Sequence, residues 1–290
     1  MNVIELLALA AIWGASFLFM RLAAPELGPI PLIALRVTIA AIVLAPVLRS
    51  ATARSQFRSK AWPLFVVGVT NSAVPFCLLA YSTLYVNAGV DSILNATTPL
   101  WAALIAVAGF GGSMRLSQAI GLMLGFAGVV ILTWGTLIGG ASALPLAIGA
   151  ALLATLFYGF AVNYSKRHLA GVNPFVVAFG GQLFASILLA PLALFFWPKH
   201  AVAASTWACV AALGVVCTGF AYVVFFRLVE RVGAAYAASV TFLIPIFGMI
   251  WGTAFLGEAI TSVMIAGCAI VLFGTALASG NLGWMLARSA

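Results

Sequence analysis

Residues 13–62 read WGASFLFMRLAAPELGPIPLIALRVTIAAIVLAPVLRSATARSQFRSKAW, and residues 158–207 read YGFAVNYSKRHLAGVNPFVVAFGGQLFASILLAPLALFFWPKHAVAASTW. Laid over one another at a shift of 145 residues, Trp13 meets Tyr158, Gly14 meets Gly159, Arg21 meets Lys166, Pro29 meets Pro174, Pro46 meets Pro191 and Trp62 meets Trp207. The tripeptide Leu44-Ala45-Pro46 falls on Leu189-Ala190-Pro191. After one inserted residue the shift becomes 146, and Pro99 meets Pro245, Gly111 meets Gly257, Gly121 meets Gly267 and Gly128 meets Gly274. Chance likeness between apolar segments rarely keeps Trp, Pro and Gly in register over a whole half, so the chain reads as a duplication with units at 1–140 and 141–290.

The duplicated material is made for lipid. Of 290 residues, 65% are hydrophobic and 6% charged, and the mean hydropathy is +1.22. A soluble domain has roughly a quarter of its residues charged. The net charge of +8 does not point to nucleic acid, because the Lys and Arg residues sit singly between apolar runs and form no basic stripe. Cys77, Cys209, Cys217 and Cys268 fall inside apolar stretches without the spacing of a disulfide framework or a metal site, so neither a disulfide nor a metal or cofactor is expected.

Ten apolar runs follow, near residues 3–20, 32–48, 62–84, 92–110, 117–138, 145–165, 174–197, 206–228, 236–256 and 261–280. A span needs about 20 residues, and the first run is long enough to be kept as a helix instead of being removed as a signal. The backbone in hydrocarbon must satisfy its own hydrogen bonds, and the short alternating segments of a barrel are missing, so the expected fold is all-α. Each half holds five spans, an odd number. The second half therefore enters the membrane from the opposite side, giving two inverted five-helix repeats.

Lys and Arg set the orientation. Placing Arg49, Arg54, Arg58 and Lys60 in the cytoplasm also puts Arg115, Lys166, Arg167, Arg227, Arg231 and Arg288 there, ten in all, and leaves Arg21 and Lys199 outside. Both termini are then cytoplasmic. Trp62, Trp134, Trp197, Trp207 and Trp284 fall at span ends, where indoles favour the interface, whereas Trp13, Trp101 and Trp251 do not. Inverted repeats that meet around a midplane site are the recurring build of secondary transporters.

The chain resembles the drug/metabolite transporter superfamily, in its EamA-like branch, through Trp13-Gly14-Ala15-Ser16 and Leu35-Arg36. The likeness is closest in the fourth and ninth spans, from Ala88-Gly89 to Thr98-Pro99-Leu100 and from Gly233-Ala234-Ala235 through Ile244-Pro245 to Gly257-Glu258. The first half departs from the pattern, with Gly111-Gly112 where Gly-Glu is usual. Within that branch the chain is most similar to the amino-acid exporters. The resemblance implies a carrier in the bacterial inner membrane that exports amino acids, aromatic or other neutral ones among them, by alternating access and without covalent chemistry. Its partners are a small-molecule substrate and the lipid bilayer, with no nucleic acid.

Candidate pocket residues follow from polar and aromatic groups at membrane depth, where an unpaired amide is unfavourable and must face protein or a wet cavity. In the third span Asn71, Pro75, Leu78, Tyr81 and Tyr85 share one helix face. Asn95, Thr98 and Trp101 do so in the fourth, and Trp13 lies mid-span in the first. The second half offers Tyr158 and Asn163, Tyr222, and Thr241. The substrate set is thus Trp13, Asn71, Tyr81, Asn95, Thr98, Trp101, Tyr158, Asn163, Tyr222 and Thr241. Such groups also glue helices together, and both roles stay open. Pro99 and Pro245, equivalent under the repeat, remove backbone hydrogen bonds and are expected to act as hinges. Gly121, Gly125, Gly128, Gly267 and Gly274 mark the fifth and tenth spans as close-packed scaffold.

Charge at depth is scarce. Glu5, Glu26, Asp91, Glu230 and Glu258 all read as span-end residues, so no buried carboxylate for proton coupling is visible. Arg36 lies about one turn inside its span, and snorkelling to the interface or a structural ion pair weighs more than pairing with a substrate carboxylate. Efflux of drugs or another metabolite is the alternative within the class. No HExxH, paired mid-span carboxylates or Ser-His constellation supports an intramembrane enzyme. A purely structural subunit is the remaining rival.

Overall fold

The computed structural model describes residues 2–138 and 143–279; Trp284, Arg288 and the boundary expected between residues 140 and 141 lie outside the described residues. Every regular element described is helical. In chain order the long elements are α1 (Asn2–Leu27), α2 (Pro29–Arg49), α3 (Ala61–Ser82), α4 (Ala88–Gly109), α5 (Leu116–Ile138), α6 (Leu144–His168), α7 (Pro174–Phe195), α8 (Ala204–Val232), α9 (Ala234–Leu256) and α10 (Ser262–Ala278). Among the described residues, nine of these are long and apolar enough to cross a membrane, and α10, with 17 residues, is a shorter apolar helix. A surface helix, Ala51–Ser59, joins α2 to α3.

Local sequence explains the breaks. Pro29 and Pro174 open α2 and α7, where a missing N–H costs nothing. The side chains of Asn173 and Thr261 accept backbone hydrogen bonds at the starts of α7 and α10. Gly233, at φ 87°, makes the turn from α8 to α9, a backbone shape that a Cβ would strain. Both α3 and α8 depart from α-helical geometry in mid-course: Val69–Ala73 and Ala212–Phe220 form wider π-helical turns, and the two segments overlap under the 145-residue shift.

Packing follows a regular scheme. The pairs α1–α9, α2–α8 and α3–α6 are matched by α6–α4, α7–α3 and α8–α1, and α2–α7, α4–α9 and α5–α10 also pack together. Exchanging each helix of the first five for its counterpart in the second five leaves this set unchanged. The α5–α10 contact is the tightest. A Cβ on Gly121 would stand 2.5 Å from the Ala278 nitrogen and 2.6 Å from the Gly274 carbonyl oxygen, and one on Gly128 would stand 2.8 Å from the Val271 nitrogen. Trp62 (69% exposed) and Trp134 (62% exposed) keep their indoles on the outer surface near helix ends, as an interfacial belt requires.

The two proline sites differ. At Pro99 the helix breaks outright, with α-helical residues ending at Asn95 and resuming at Thr98. Pro245 lies buried inside the continuous segment Val240–Leu256, and the break in α9 comes earlier, at Ser239.

Candidate functional site: an aromatic-walled cavity and a buried arginine

A cavity of about 310 Å³ lies between α3, α6, α7 and α8. Its walls include Val67 and Asn71 from α3, Ala161 and Ser165 from α6, Gln182 from α7, and Tyr222, Phe225 and Phe226 from α8. These positions are close to the helix ends that carry the basic Ala51–Ser59 connection, so the cavity occupies that half of the bundle. The π-helical turn of α3 presents Asn71 and Ser72 to it. Gln182 is only 1% exposed; its Nε2 donates to Ser72 Oγ at 3.0 Å, and its Oε1 accepts nothing from the protein. Tyr222 shares this wall with Asn71 and Gln182. Aromatic rings continue away from the cavity, with Phe225 against Trp13 at 5.4 Å between centroids.

Deeper in, Arg36 occupies the bundle centre. It is 5% exposed. Its Nε donates to Thr218 Oγ1 at 2.9 Å, in the π-helical turn of α8, and its Nη1 approaches Met20 Sδ at 3.7 Å. The guanidinium carbon stands 4.0 Å from the centroid of Phe76, whose ring meets Tyr158 edge-on. Tyr158, Tyr222 and Cys217 are all within electrostatic range of the charge. No carboxylate among the described residues forms an ion pair with it. Snorkelling is therefore overturned: the turn of α2 aims Arg36 at α8 and α3, away from the interface, and neither an interfacial berth nor a structural acid holds it.

The far end of the bundle is fastened. Arg21 Nε meets Glu258 Oε1 at 3.1 Å, and Arg21 Nη1 donates to the Thr83 carbonyl oxygen at 2.5 Å. The Ala88 amide donates to both Glu258 oxygens, at 3.2 and 3.0 Å. α1, the α3–α4 turn and the α9–α10 turn are thereby tied together. At the cavity end, the Arg231–Glu5 pair at 2.8 Å joins only α8 to α1.

Asp91 also departs from expectation. It is fully buried, because α4 begins at Ala88 and runs at once beneath α1, α6 and α9. Ser82 Oγ donates to its Oδ1 at 2.6 Å, and its Oδ2 has no partner.

The remaining sequence candidates separate into two groups. Asn71 and Tyr222 line the cavity, Tyr158 faces the Arg36 region, and Trp13 backs the aromatic wall. The others stand apart from it. Asn163 Nδ2 donates to the carbonyls of Ala102 and Gly159, stitching α6 to α4. Trp101 packs edge-on to Phe126 at 4.9 Å. Tyr81 contacts Tyr85, Thr98 Oγ1 bonds the Asn95 carbonyl, and Thr241 Oγ1 bonds the Ala238 carbonyl. Gln182 was not anticipated; a lone amide in an otherwise apolar run is the signal that marks it.

A bundle of apolar helices long enough to cross a membrane, with a largely apolar cavity at one end and an ion-paired fastening at the other, is the build of a membrane transporter. Residues 2–134 and 145–280 match the EamA-like transporter family, each half separately, and the chain belongs to that family. It is 23% identical over 270 residues to an uncharacterized transporter of Archaeoglobus fulgidus, covering 90% of this chain and 92% of that one. The uncharacterized transporters YoaV and YvbV of Bacillus subtilis are 20% and 24% identical, over 93% and 91% of this chain and 93% and 87% of their own lengths. A solved crystal structure shares the fold at a TM-score of 0.67 and 21% identity, covering 99% of this chain and 98% of the other.

Proposed function

We propose that the protein is a ten-span secondary carrier of the bacterial inner membrane that exports amino acids by alternating access, with Arg36 gripping the substrate carboxylate. The observation that carries this reading is the buried guanidinium without an acid of its own. A cation withdrawn from water is unfavourable unless an anion meets it, and a carboxylate arriving through the cavity supplies one with charge-assisted hydrogen bonds. Gln182 Oε1, a buried acceptor without a partner beside the cavity, suits the ammonium of the same substrate. Asn71, Tyr158, Tyr222 and Trp13 complete the walls in this reading, while Tyr81, Asn95, Thr98, Trp101, Asn163 and Thr241 serve helix packing.

The symmetric packing scheme supports an inverted arrangement of two units at 1–140 and 141–290, because five spans per unit reverse its direction. The Lys and Arg distribution supports cytoplasmic termini. In this frame Pro99, at the break in α4, and Pro245, beyond the break in α9, are the hinges of the two gates, and the cavity belongs to the cytoplasmic half.

Counterflow in proteoliposomes, with labelled amino acids and their carboxamides as competitors, tests the assignment. Arg36→Gln is expected to lower transport of carboxylate substrates about tenfold or more, in line with ~1.5–3 kcal/mol for a hydrogen bond to a charged group. Competition by carboxamides should change little. Parental carboxylate transport in Arg36→Gln, or a substrate range confined to lipophilic cations, would sink the amino-acid reading in favour of drug efflux.

A further inference from the structure

The five acidic residues divide by environment. Glu5 pairs with Arg231, Glu258 pairs with Arg21, Glu26 accepts from the Ala203 amide and Thr206 at the start of α8, and Glu230 is exposed. Asp91 alone is fully buried, with one oxygen bonded to Ser82 and the other bonded to nothing. A permanently ionised carboxylate would fill its remaining acceptor positions with donors. A carboxyl that exchanges a proton needs a free oxygen and isolation from bulk water, and Asp91 has both. The Arg21–Glu258 fastening, which could gate access, borders it: Arg21 grips the Thr83 carbonyl next to Ser82, and Glu258 holds the amide of Ala88, in the first turn of the helix that carries Asp91.

Its surroundings are sparsely charged. Arg21 of α1 is within electrostatic range on the fastened side, and Tyr158 of α6 is within range on the other. Glu258 faces the start of α4 from the α9–α10 turn, while the facing segments of α9 (Val240–Leu256) and α10 contribute no charged side chain. Tyr158 is in turn within range of Arg36. The order of groups along the bundle is fastening, Asp91, Tyr158, Arg36, cavity.

We propose that Asp91 is a proton-carrying site that couples this carrier to a transmembrane pH gradient. The inference rests on the carrier reading above and adds the coupling ion to it. When the fastened end opens, a proton from water binds the free Asp91 oxygen and converts carboxylate to carboxyl. When the cavity end opens, the same O–H bond breaks and the proton leaves through the Tyr158–Arg36 region to water on that side. No electrons move, and one proton is taken up for each one released.

Two measurements test the site. In the first, pH-difference infrared spectra of the full chain in lipid nanodiscs, with no substrate added, should show a carboxylic C=O band that titrates and is missing in Asp91→Asn. Spectra of Asp91→Asn identical to the parent would overturn the proposal. If Asp91→Asn does not fold, Ser82→Ala replaces it. That variant keeps the carboxyl and loses the hydroxyl donor, so the band must be displaced, and an unmoved band overturns the assignment. In the second, proteoliposomes holding a pH-sensitive dye are given the amino-acid panel. Wild type should change lumenal pH on substrate addition. Asp91→Asn should exchange labelled substrate for unlabelled while leaving the dye unchanged, and a dye response equal to wild type would overturn coupling through Asp91. If wild type moves nothing in the panel, the amino-acid reading fails, and the infrared result alone decides whether Asp91 exchanges a proton.

Discussion

At the scale of single residues, the decisive quantity is direction around a helix axis. Trp101 and Gln182 are both mid-helix residues with polar atoms, yet one faces Phe126 and the other the cavity. Gln182→Leu removes the unfilled acceptor at similar volume, and affinity for an ammonium-bearing substrate should fall about tenfold or more, from ~1.5–3 kcal/mol for a hydrogen bond to a charged group. Trp101→Ala is expected to leave the substrate ranking unaltered while lowering thermal stability by on the order of 2 kcal/mol, less than a fully buried aromatic loses. A binding competition normalised to folded protein reads both variants, and a reversed pattern would exchange their roles. Spacing along the chain groups Asn95, Thr98 and Trp101 on a face but does not say what that face meets. The same gap explains Arg36 and Asp91. Their distance from a span end is legible in sequence, but the neighbouring helices that cover them come from remote segments, Thr218 and Phe76 over one, α1, α6 and α9 over the other.

At the scale of helices, more was legible. Each apolar run corresponds to one helix, because a run of this length has no other way to satisfy its backbone in lipid. Small-residue spacing in α5 and α10 marks the close contact correctly, since glycine periodicity directly encodes how near two backbones come. Gly121→Val should therefore lower the melting temperature and the yield of monodisperse protein, at a cost of about 1–3 kcal/mol for overpacking against backbone atoms that have no room to move. Gly149→Val, in α6 with open space around its α-carbon, is the matched control and should be near neutral. Equal melting of the two variants would mean that the α5–α10 contact is not a stabilising element. Of the two π-helical turns, that of α8 was not legible. The turn in α3 ends just before Pro75, whose missing amide and ring disturb the preceding turn, whereas nothing in Ala212–Phe220 forbids an ordinary helix.

At the scale of the whole molecule, the two halves share a scaffold but not their fastenings. The residues equivalent to Arg21 and Glu258 under the repeat are Lys166 and Gly112, so the cavity end has a cation without its carboxylate. Glu258→Gln should loosen the fastened end, and single cysteines placed at Thr83 and Ser262 should then react several-fold faster with a membrane-impermeant reagent than in the parent. Gly112→Glu, which supplies the missing acid opposite Lys166, should slow labelling of a cysteine at Ser165 instead. Unchanged reactivity in both variants would reduce the ion pair to a surface contact of small effect. A transporter fastened more extensively at one face than at the other is a lopsided valve: the fastening shifts how often each door stands open but performs no work. Oriented vesicles with equal conditions on both sides should show different half-saturating concentrations from the two faces, while the ratio of maximal rate to half-saturation stays the same from either face, as a passive exchange at equilibrium demands.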